Sequence, residues 1–144
     1  MTLTAVTEPI QRICSGETVY AIVIRSKLVS LGHNFPSHPM DSLQVGVNCY
    51  PVGTRIRPHY HLTRERVIRD CVEVIHVAEG LCEVTLFDEK GEMIHEGRLV
   101  AGDTIVCLRG GHGFRCLEST RIMEVKQGPY LGDEYKVYIH GLKR

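Results

Sequence analysis

Apolar residues occur along the chain in short runs that are separated by glycine- and proline-containing turns. Runs of this kind, several with alternating polarity, are typical of β-strands and predict an all-β domain. The segments that we predict as strands are residues 19–24, 43–50, 55–61, 72–78, 81–88, 93–97, 99–108, 113–117, 121–127 and 135–140. A helical turn is favoured near residues 8–14. So many strands in a short chain predict closure into a barrel or a two-sheet jelly roll, because open sheet edges favour aggregation.

Length and charge narrow the class of protein. At 144 residues the chain is long enough for one hydrophobic core and too short for two, which predicts a single domain over residues 1–144. Its 17 basic residues balance 17 acidic ones, without the basic excess of nucleic-acid binders and polybasic membrane anchors. The amino terminus shows no secretion signal, and no apolar run is long enough to span a bilayer. We expect a cytoplasmic protein with no nucleic-acid or membrane partner, whose six cysteines are reduced.

Two histidines in one predicted strand are the first candidates for a metal site. His59 and His61, which we call the histidine pair, are two residues apart and point to the same face of the strand over residues 55–61. If that face lines the interior of a barrel, the two rings need hydrogen-bond partners or a shared ion. A lone pair of strand histidines is as often structural or exposed as metal-binding, so the pair alone leaves both interpretations open.

Glu73 and His112 extend the histidine pair to four possible ligands. Glu73 has the parity of Ile75 and Val77, which predicts an inward-facing carboxylate, and a buried carboxylate favours a nearby cation. His112 follows a two-glycine turn at the start of a later strand. A single buried glutamate more often pairs with a basic side chain, but the four residues together favour a metal site. Three imidazoles and one carboxylate suit a divalent ion such as zinc, iron, manganese, nickel or copper.

The spacing of these residues resembles a known family. Gly53-x5-His59-x-His61, followed by Glu73-x6-Gly80, resembles the first conserved motif of the cupin superfamily. The resemblance implies a jelly-roll barrel in which the two histidines and the glutamate bind a metal at the centre. Eleven residues separate His61 from Glu73, more than is usual in cupins. We expect this insert, residues 62–72, to lie at the rim of the site.

A second motif supports the same resemblance. Gly102-Asp103, followed by a strand and His112, resembles the second cupin motif, and the likeness extends over residues 43–127. It implies that His112 is the fourth metal ligand. The proline that usually precedes this histidine and the asparagine that usually follows it are both replaced. The remaining histidines, at positions 33, 38, 76, 95 and 140, are expected to have surface or packing roles.

Other residues are candidates for contacting a substrate. Arg57 shares the parity of the histidine pair and would hold a carboxylate or phosphate with a forked pair of hydrogen bonds, although pairing with a surface acid is equally compatible. Phe114 and Cys116 share the parity of His112 and are expected to line the site. Residues 123–135 resemble the carboxyl ends of WbuC-like cupins encoded among surface-polysaccharide and nucleotide-sugar genes, which implies a sugar-like substrate. For most of this segment we favour the simpler alternative, an edge strand for dimer formation.

Three functions are compatible with these residues. The first, which we favour, is an enzyme whose metal ion acts as a Lewis acid on a small polar, sugar-like or carboxylated substrate, with Glu73 and Arg57 as catalytic residues. Isomerase, lyase and dioxygenase chemistry all remain open. The second is a metal-free nucleotide-sugar isomerase or epimerase that uses the histidine pair as acid and base, and the third is a cupin that binds a ligand without turnover. We expect a homodimer formed through edge strands at residues 19–24 and 135–140.

Overall fold

The computed structural model describes residues 8–28 and 32–139 of the chain. Within these residues the chain forms β-strands and one short 3₁₀ helix but no α-helix, so the all-β prediction is confirmed. The strands are β1 (Ile10–Ser15), β2 (Thr18–Ile24), β3 (Gly32–Asn34), β4 (Val47–Cys49), β5 (Glu73–Glu79), β6 (Leu81–Phe87), β7 (Met93–Val100), β8 (Thr104–Cys107), β9 (Gly111–Cys116) and β10 (Arg121–Lys126). The 3₁₀ helix is Asp133–Tyr135. No helix in the described part of the chain is long and apolar enough to cross a membrane.

The strands form two larger antiparallel sheets and a separate hairpin. The five-stranded sheet has the order β1-β2-β8-β5-β10, the three-stranded sheet has the order β7-β6-β9, and β3 pairs with β4. The predicted strands between residues 72 and 127 correspond to β5 to β10 with small shifts of their ends. The predicted run 99–108 is divided by a turn, because Gly102 adopts a positive φ of 89° between β7 and β8.

The main hydrophobic core contains residues from both larger sheets. Alternate residues of β5 face this core, so Ile75 and Val77 are almost fully buried. The inward parity predicted for Glu73 is confirmed, because it shares the face of these two residues and is itself partly buried. The other buried members of the core are Ile13, Ala21, Val23, Cys82, Val84, Leu86, Leu99, Ile105 and Cys107.

The opposite face of the five-stranded sheet is covered by the chain that leads into β4. Ile22 and Val106, on β2 and β8, belong to a second buried cluster on this face. Leu43, Val45 and Val47 pack against it with alternating spacing. Part of the predicted strand over residues 43–50 therefore serves as a cover for the sheet, and only β4 is formed as a strand.

The sheets do not close into a barrel within the described residues. β9 pairs only with β6, and β10 pairs only with β5, so each has one edge without a neighbouring strand. The strand predicted over residues 55–61 is not formed, and every residue from 50 to 71 is exposed and outside regular secondary structure. We call residues 50–71 the arm. The missing strand would have been needed for the predicted closure.

The two ends of the described chain also differ from the sequence-based predictions. The helical turn predicted near residues 8–14 is wrong, because this segment forms β1 and pairs with β2, which buries Ile13. The strand predicted at residues 19–24 is confirmed as β2, but β1 and β8 occupy both of its edges. β2 therefore has no free edge for the dimer contact predicted there. Of the strand predicted at residues 135–140, residues 136–139 have no regular structure and residue 140 lies outside the described residues.

A buried aspartate fixes the turn between β7 and β8. Asp103 is 1% exposed, and its carboxylate accepts hydrogen bonds from the Arg25 guanidinium at 2.8 Å, the Ser26 N–H at 2.9 Å and the Val100 N–H at 3.1 Å. Arg25 also donates to the carbonyl oxygen of Arg98 at 2.8 Å. Asp103, which belongs to the segment that resembles the second cupin motif, thus connects the β7–β8 turn to the end of β2.

His95 makes the stability of the fold depend on pH. It lies on β7 opposite the buried Leu86, and burial lowers its pKa below the ordinary value of 6.5, with a smaller lowering from Arg25 and an opposing effect of Glu96. The folded protein therefore binds fewer protons than the unfolded chain just below pH 6.5, and stability is lost as the pH falls from 6.5 through the lowered pKa. We expect His95→Gln to flatten this loss, measured by urea unfolding at pH values between about 7.5 and 5.5. The same slope in wild type, His95→Gln and the exposed-site control His38→Gln would contradict this assignment.

Candidate functional site

The structure brings together two of the four predicted metal ligands. Glu73 is the first residue of β5 and His112 is the second residue of β9, so the two larger sheets each contribute one. Oε2 of Glu73 lies 2.9 Å from Nε2 of His112, and the two side chains are 15% and 27% exposed. We call them the Glu73–His112 pair. Their position, half-buried at the edge of the core, leaves both side chains open to solvent on one side.

A lysine that was not predicted from the sequence lies beside this pair and balances the negative charge of Glu73. Lys126 is opposite Glu73 in the register of β10 and β5, and its Nζ lies 3.4 Å from Oε1 of Glu73. The same ammonium group pairs with Glu124. The hydrogen bond to Glu124, with the nearby charge of Glu73, raises the pKa of Lys126 to about 12. Lys126 therefore remains a cation beside the Glu73 carboxylate at all ordinary pH values.

The other neighbours of the pair are apolar or neutral. Cys107 lies opposite Glu73 in β8, and burial together with the charge of Glu73 raises its pKa to about 12. Its thiol stays protonated and forms a buried, uncharged surface beside Glu73. Phe114 packs against the core with its ring centroid 5.7 Å from that of His112, so the two side chains share one face of β9 as their parity predicts. Cys116 has the same parity but is exposed at the end of β9 and does not line the pair.

The remaining predicted site residues lie in the arm. The ring centroids of His59 and His61 are 5.0 Å apart, and Nδ1 of His59 is 2.7 Å from the carbonyl oxygen of Arg57. All three side chains are exposed. The four predicted ligands thus form two pairs, and no group of three or more histidine, cysteine or acidic side chains in the described residues is arranged to hold a metal ion. Residue parity identifies which side chains share a strand face only where the strand forms, and residues 55–61 have no strand partner.

The donor chemistry of the Glu73–His112 pair is compatible with a metal ion. Carboxylate oxygen and imidazole nitrogen are ordinary ligands of borderline divalent metals. Two adjacent ligand atoms of an octahedral ion, each about 2.1 Å from it, lie about 3 Å apart. The two facing atoms are 2.9 Å apart, a hydrogen-bonding distance that is also close to the spacing of adjacent octahedral ligands. The pair by itself supplies only two of the ligands that such an ion needs.

The other described histidines have packing or surface positions. Nδ1 of His76, on β5, is 3.0 Å from the Thr104 hydroxyl of β8. Nδ1 of His33 lies 2.8 Å from the side-chain oxygen of Asn48 across the β3–β4 hairpin. His140 lies outside the described residues. His112 is the one described histidine placed at the Glu73–His112 pair.

A cavity lies elsewhere on the molecule. It has a volume of about 690 Å³ and is formed by the β1–β2 hairpin, residues 36–41 and the end of β8. Arg12, His38 and Arg109 are among its polar lining residues, and none of the predicted site residues lines it. It therefore gives no support to the metal-site prediction.

Comparison with known proteins yields one family. A family model described as "Domain of unknown function (DUF6016)" matches residues 31–99. The match includes the whole arm with the histidine pair and Glu73, and it ends within β7 before His112. No curated protein and no solved structure matches the chain. The comparisons therefore show that residues 31–99 are similar to this family and assign them no activity.

Proposed function

We propose that this chain is a cupin-type protein that binds a divalent transition metal and acts on a small polar substrate. The observation that carries the proposal is the 2.9 Å approach of Glu73 Oε2 to His112 Nε2 from two different sheets. The cupin-like spacing of the histidine pair, Glu73 and His112 in the sequence supports it. The facing β5 and β9, each with one of these residues, are compatible with the architecture that the resemblance implies.

The residues of the chain have separate roles in this proposal. Glu73 and His112 hold the ion, and His59 and His61 complete its coordination. When bound, the ion supplies Lewis acidity that polarises a carbonyl or hydroxyl group of the substrate. Glu73 also accepts a proton, and Arg57 binds a carboxylate or phosphate of a sugar-like or carboxylated substrate. Lys126 balances the charge of Glu73 before the ion is bound.

A second candidate function is metal-free proton transfer. The ion pair between Lys126 and Glu73 favours it, because the ammonium group already balances the carboxylate charge that a metal ion would otherwise balance. In this case Glu73 and His112 would act as acid and base at 2.9 Å. The histidine pair, which the sequence suggested for these roles, is exposed to solvent, and residues 8–28 and 32–139 form no pocket wall around it.

Elemental analysis separates the two candidates. We expect wild-type protein purified without added metal to contain a bound transition metal, and we expect His112→Ala and Glu73→Gln to lower its affinity by more than about 100-fold. His76→Ala is the matched control, because it removes another strand histidine that bonds only to Thr104 in the described structure. Wild-type protein that neither contains a metal nor binds added Zn²⁺ or Co²⁺ would overturn the metal proposal in favour of proton transfer. Turnover of a panel of nucleotide sugars and sugar acids then tests the substrate class.

A further inference from the structure

The arm exposes apolar residues that its own molecule does not cover. All 22 residues from 50 to 71 are exposed, and Tyr60 is 99% exposed. Within the described residues, the hydrogen bonds made between residues 51 and 69 all stay inside the arm. The large apolar side chains that it presents to solvent are Tyr50, Val52, Ile56, Tyr60, Leu62, Val67 and Ile68. An extended segment with this composition is expected to be covered by another surface.

The body of the molecule exposes matching strand edges. In the described structure β9 pairs only with β6, so the backbone groups along its other side have no strand partner. β10 likewise pairs only with β5, and it exposes Ile122, Met123 and Val125. Edges of this kind accept an added strand through main-chain hydrogen bonds.

Proline fixes which residues of the arm would face such an edge. Pro58 has no N–H, so in an added strand its nitrogen must point away from the neighbouring strand. Neighbouring residues of a strand alternate in direction, and therefore Arg57, His59 and His61 have the backbone groups that bond to the edge. The same alternation places both histidine side chains on one face. On the inner face of β9 this is the side on which His112 and Phe114 lie.

We propose that the arm of one copy adds to the free edge of β9 in a second copy and brings its histidine pair to that copy's Glu73–His112 pair. The exchange is reciprocal, so a two-fold dimer contains two sites, each built from both chains. Completion of the metal site rests on the proposed function, whereas the pairing of the arm does not.

The size of the arm is sufficient for a stable dimer. A standard protein–protein interface uses about 20–30 residues from each partner, and the arm alone supplies 22 from each copy. Its extended length of about 70–80 Å allows it to reach a neighbouring molecule. The exposed apolar residues of β10 provide further surface for the part of the arm that follows the histidine pair. The arm touches its own body at its ends, where Tyr50 packs against His33 and Asp70 accepts a hydrogen bond from Ser42. Residues 51–69 make no hydrogen bond to that body in the described structure, so a second copy is favoured as the surface that covers them.

The first test measures the mass of the protein in solution by light scattering. We expect wild type to have twice the chain mass of 16.2 kDa. Arg57→Pro removes an N–H that faces β9 and is expected to give a monomer, whereas Ile56→Pro removes one that faces away and is expected to remain a dimer. Circular dichroism checks that both variants fold. We expect both to fold, because the arm lies outside the hydrophobic core. A monomeric wild type, or a dimer that Arg57→Pro leaves intact, would overturn the exchange.

The second test mixes two variants that are each unable to complete a site. His59→Ala/His61→Ala loses the arm ligands, and Glu73→Gln/His112→Ala loses the body ligands. With Co²⁺ as the probe, arm exchange predicts no tight binding by either variant alone but one bound ion per heterodimer, purified through two different affinity tags. A heterodimer without Co²⁺, when wild type binds it, shows that each arm serves its own body and overturns the proposal. If wild type binds no metal, the proposed function fails while the proline variants still decide the pairing.

Discussion

Replacing Asp103 by alanine is expected to lower the free energy of unfolding by about 3 kcal/mol or more. Asp103 is 1% exposed, and its carboxylate accepts hydrogen bonds from Arg25, Ser26 and Val100. Its loss leaves a largely buried guanidinium and two backbone N–H groups without their partner, and removing one member of a buried ion pair is more damaging than removing both. In a chain of this size the change corresponds to a fall in melting temperature of roughly 10 °C.

Asp88→Ala is the matched control for this prediction. Asp88 also accepts hydrogen bonds from two backbone N–H groups, those of Lys90 and Glu92, each at 2.9 Å. It lies in an exposed hairpin turn and pairs with no arginine in the described structure, so we expect a loss of about 1 kcal/mol. Urea unfolding followed by circular dichroism measures both variants. Equal losses for the two aspartates would show that burial and the contact with Arg25 contribute little.

Much of the sheet structure could be predicted because its strands have strong local signals. Between residues 72 and 127 apolar residues alternate between glycine turns, and the predicted strands became β5 to β10. The prediction failed where the apolar pattern was compatible with both a helix and a strand, or where the predicted strand found no partner to pair with. The segment 8–14 is too short for its pattern to distinguish a helical turn from a strand. It forms a strand because it pairs with β2. Residues 55–61 alternate as a strand should, yet an isolated strand without hydrogen-bonded neighbours is not stable in water.

The site was predictable only in part for the same reason. Parity correctly assigned the inward direction of Glu73, because β5 is formed and one of its faces is buried. Parity could not show that the histidine pair lies in an exposed arm, since that depends on which strand edge it meets. Lys126 was missed because its place beside Glu73 follows from the pairing of β10 with β5, two strands more than 40 residues apart in the chain. Contacts between distant strands are not encoded in local periodicity.

Gly80 connects the fold to this site, and Gly80→Ala is expected to lower the free energy of unfolding by roughly 3–5 kcal/mol. It forms the turn between β5 and β6 with a φ of +87°, where an alanine costs about 1–2 kcal/mol. A Cβ there would also overlap the carbonyl oxygen of Ser119 and lie 2.8 Å from Cα of Thr120. Both are backbone atoms of the connection between β9 and β10, and relief of the overlap requires that connection to move. Because β9 holds His112 and β10 holds Lys126, the displacement is expected to reach the Glu73–His112 pair.

Gly91→Ala separates the two parts of this effect. Gly91 lies in the turn between β6 and β7 with a nearly equal φ of +82°, and a Cβ there would meet Ile139 at an ordinary contact distance of 3.5 Å. It therefore has the conformational cost without the overlap, and we expect a loss of only about 1–2 kcal/mol. Urea unfolding of the two variants gives the difference directly. Equal losses for the two variants would mean that the β9–β10 connection moves aside at no energetic cost. Gly80 would then be required only for its backbone conformation.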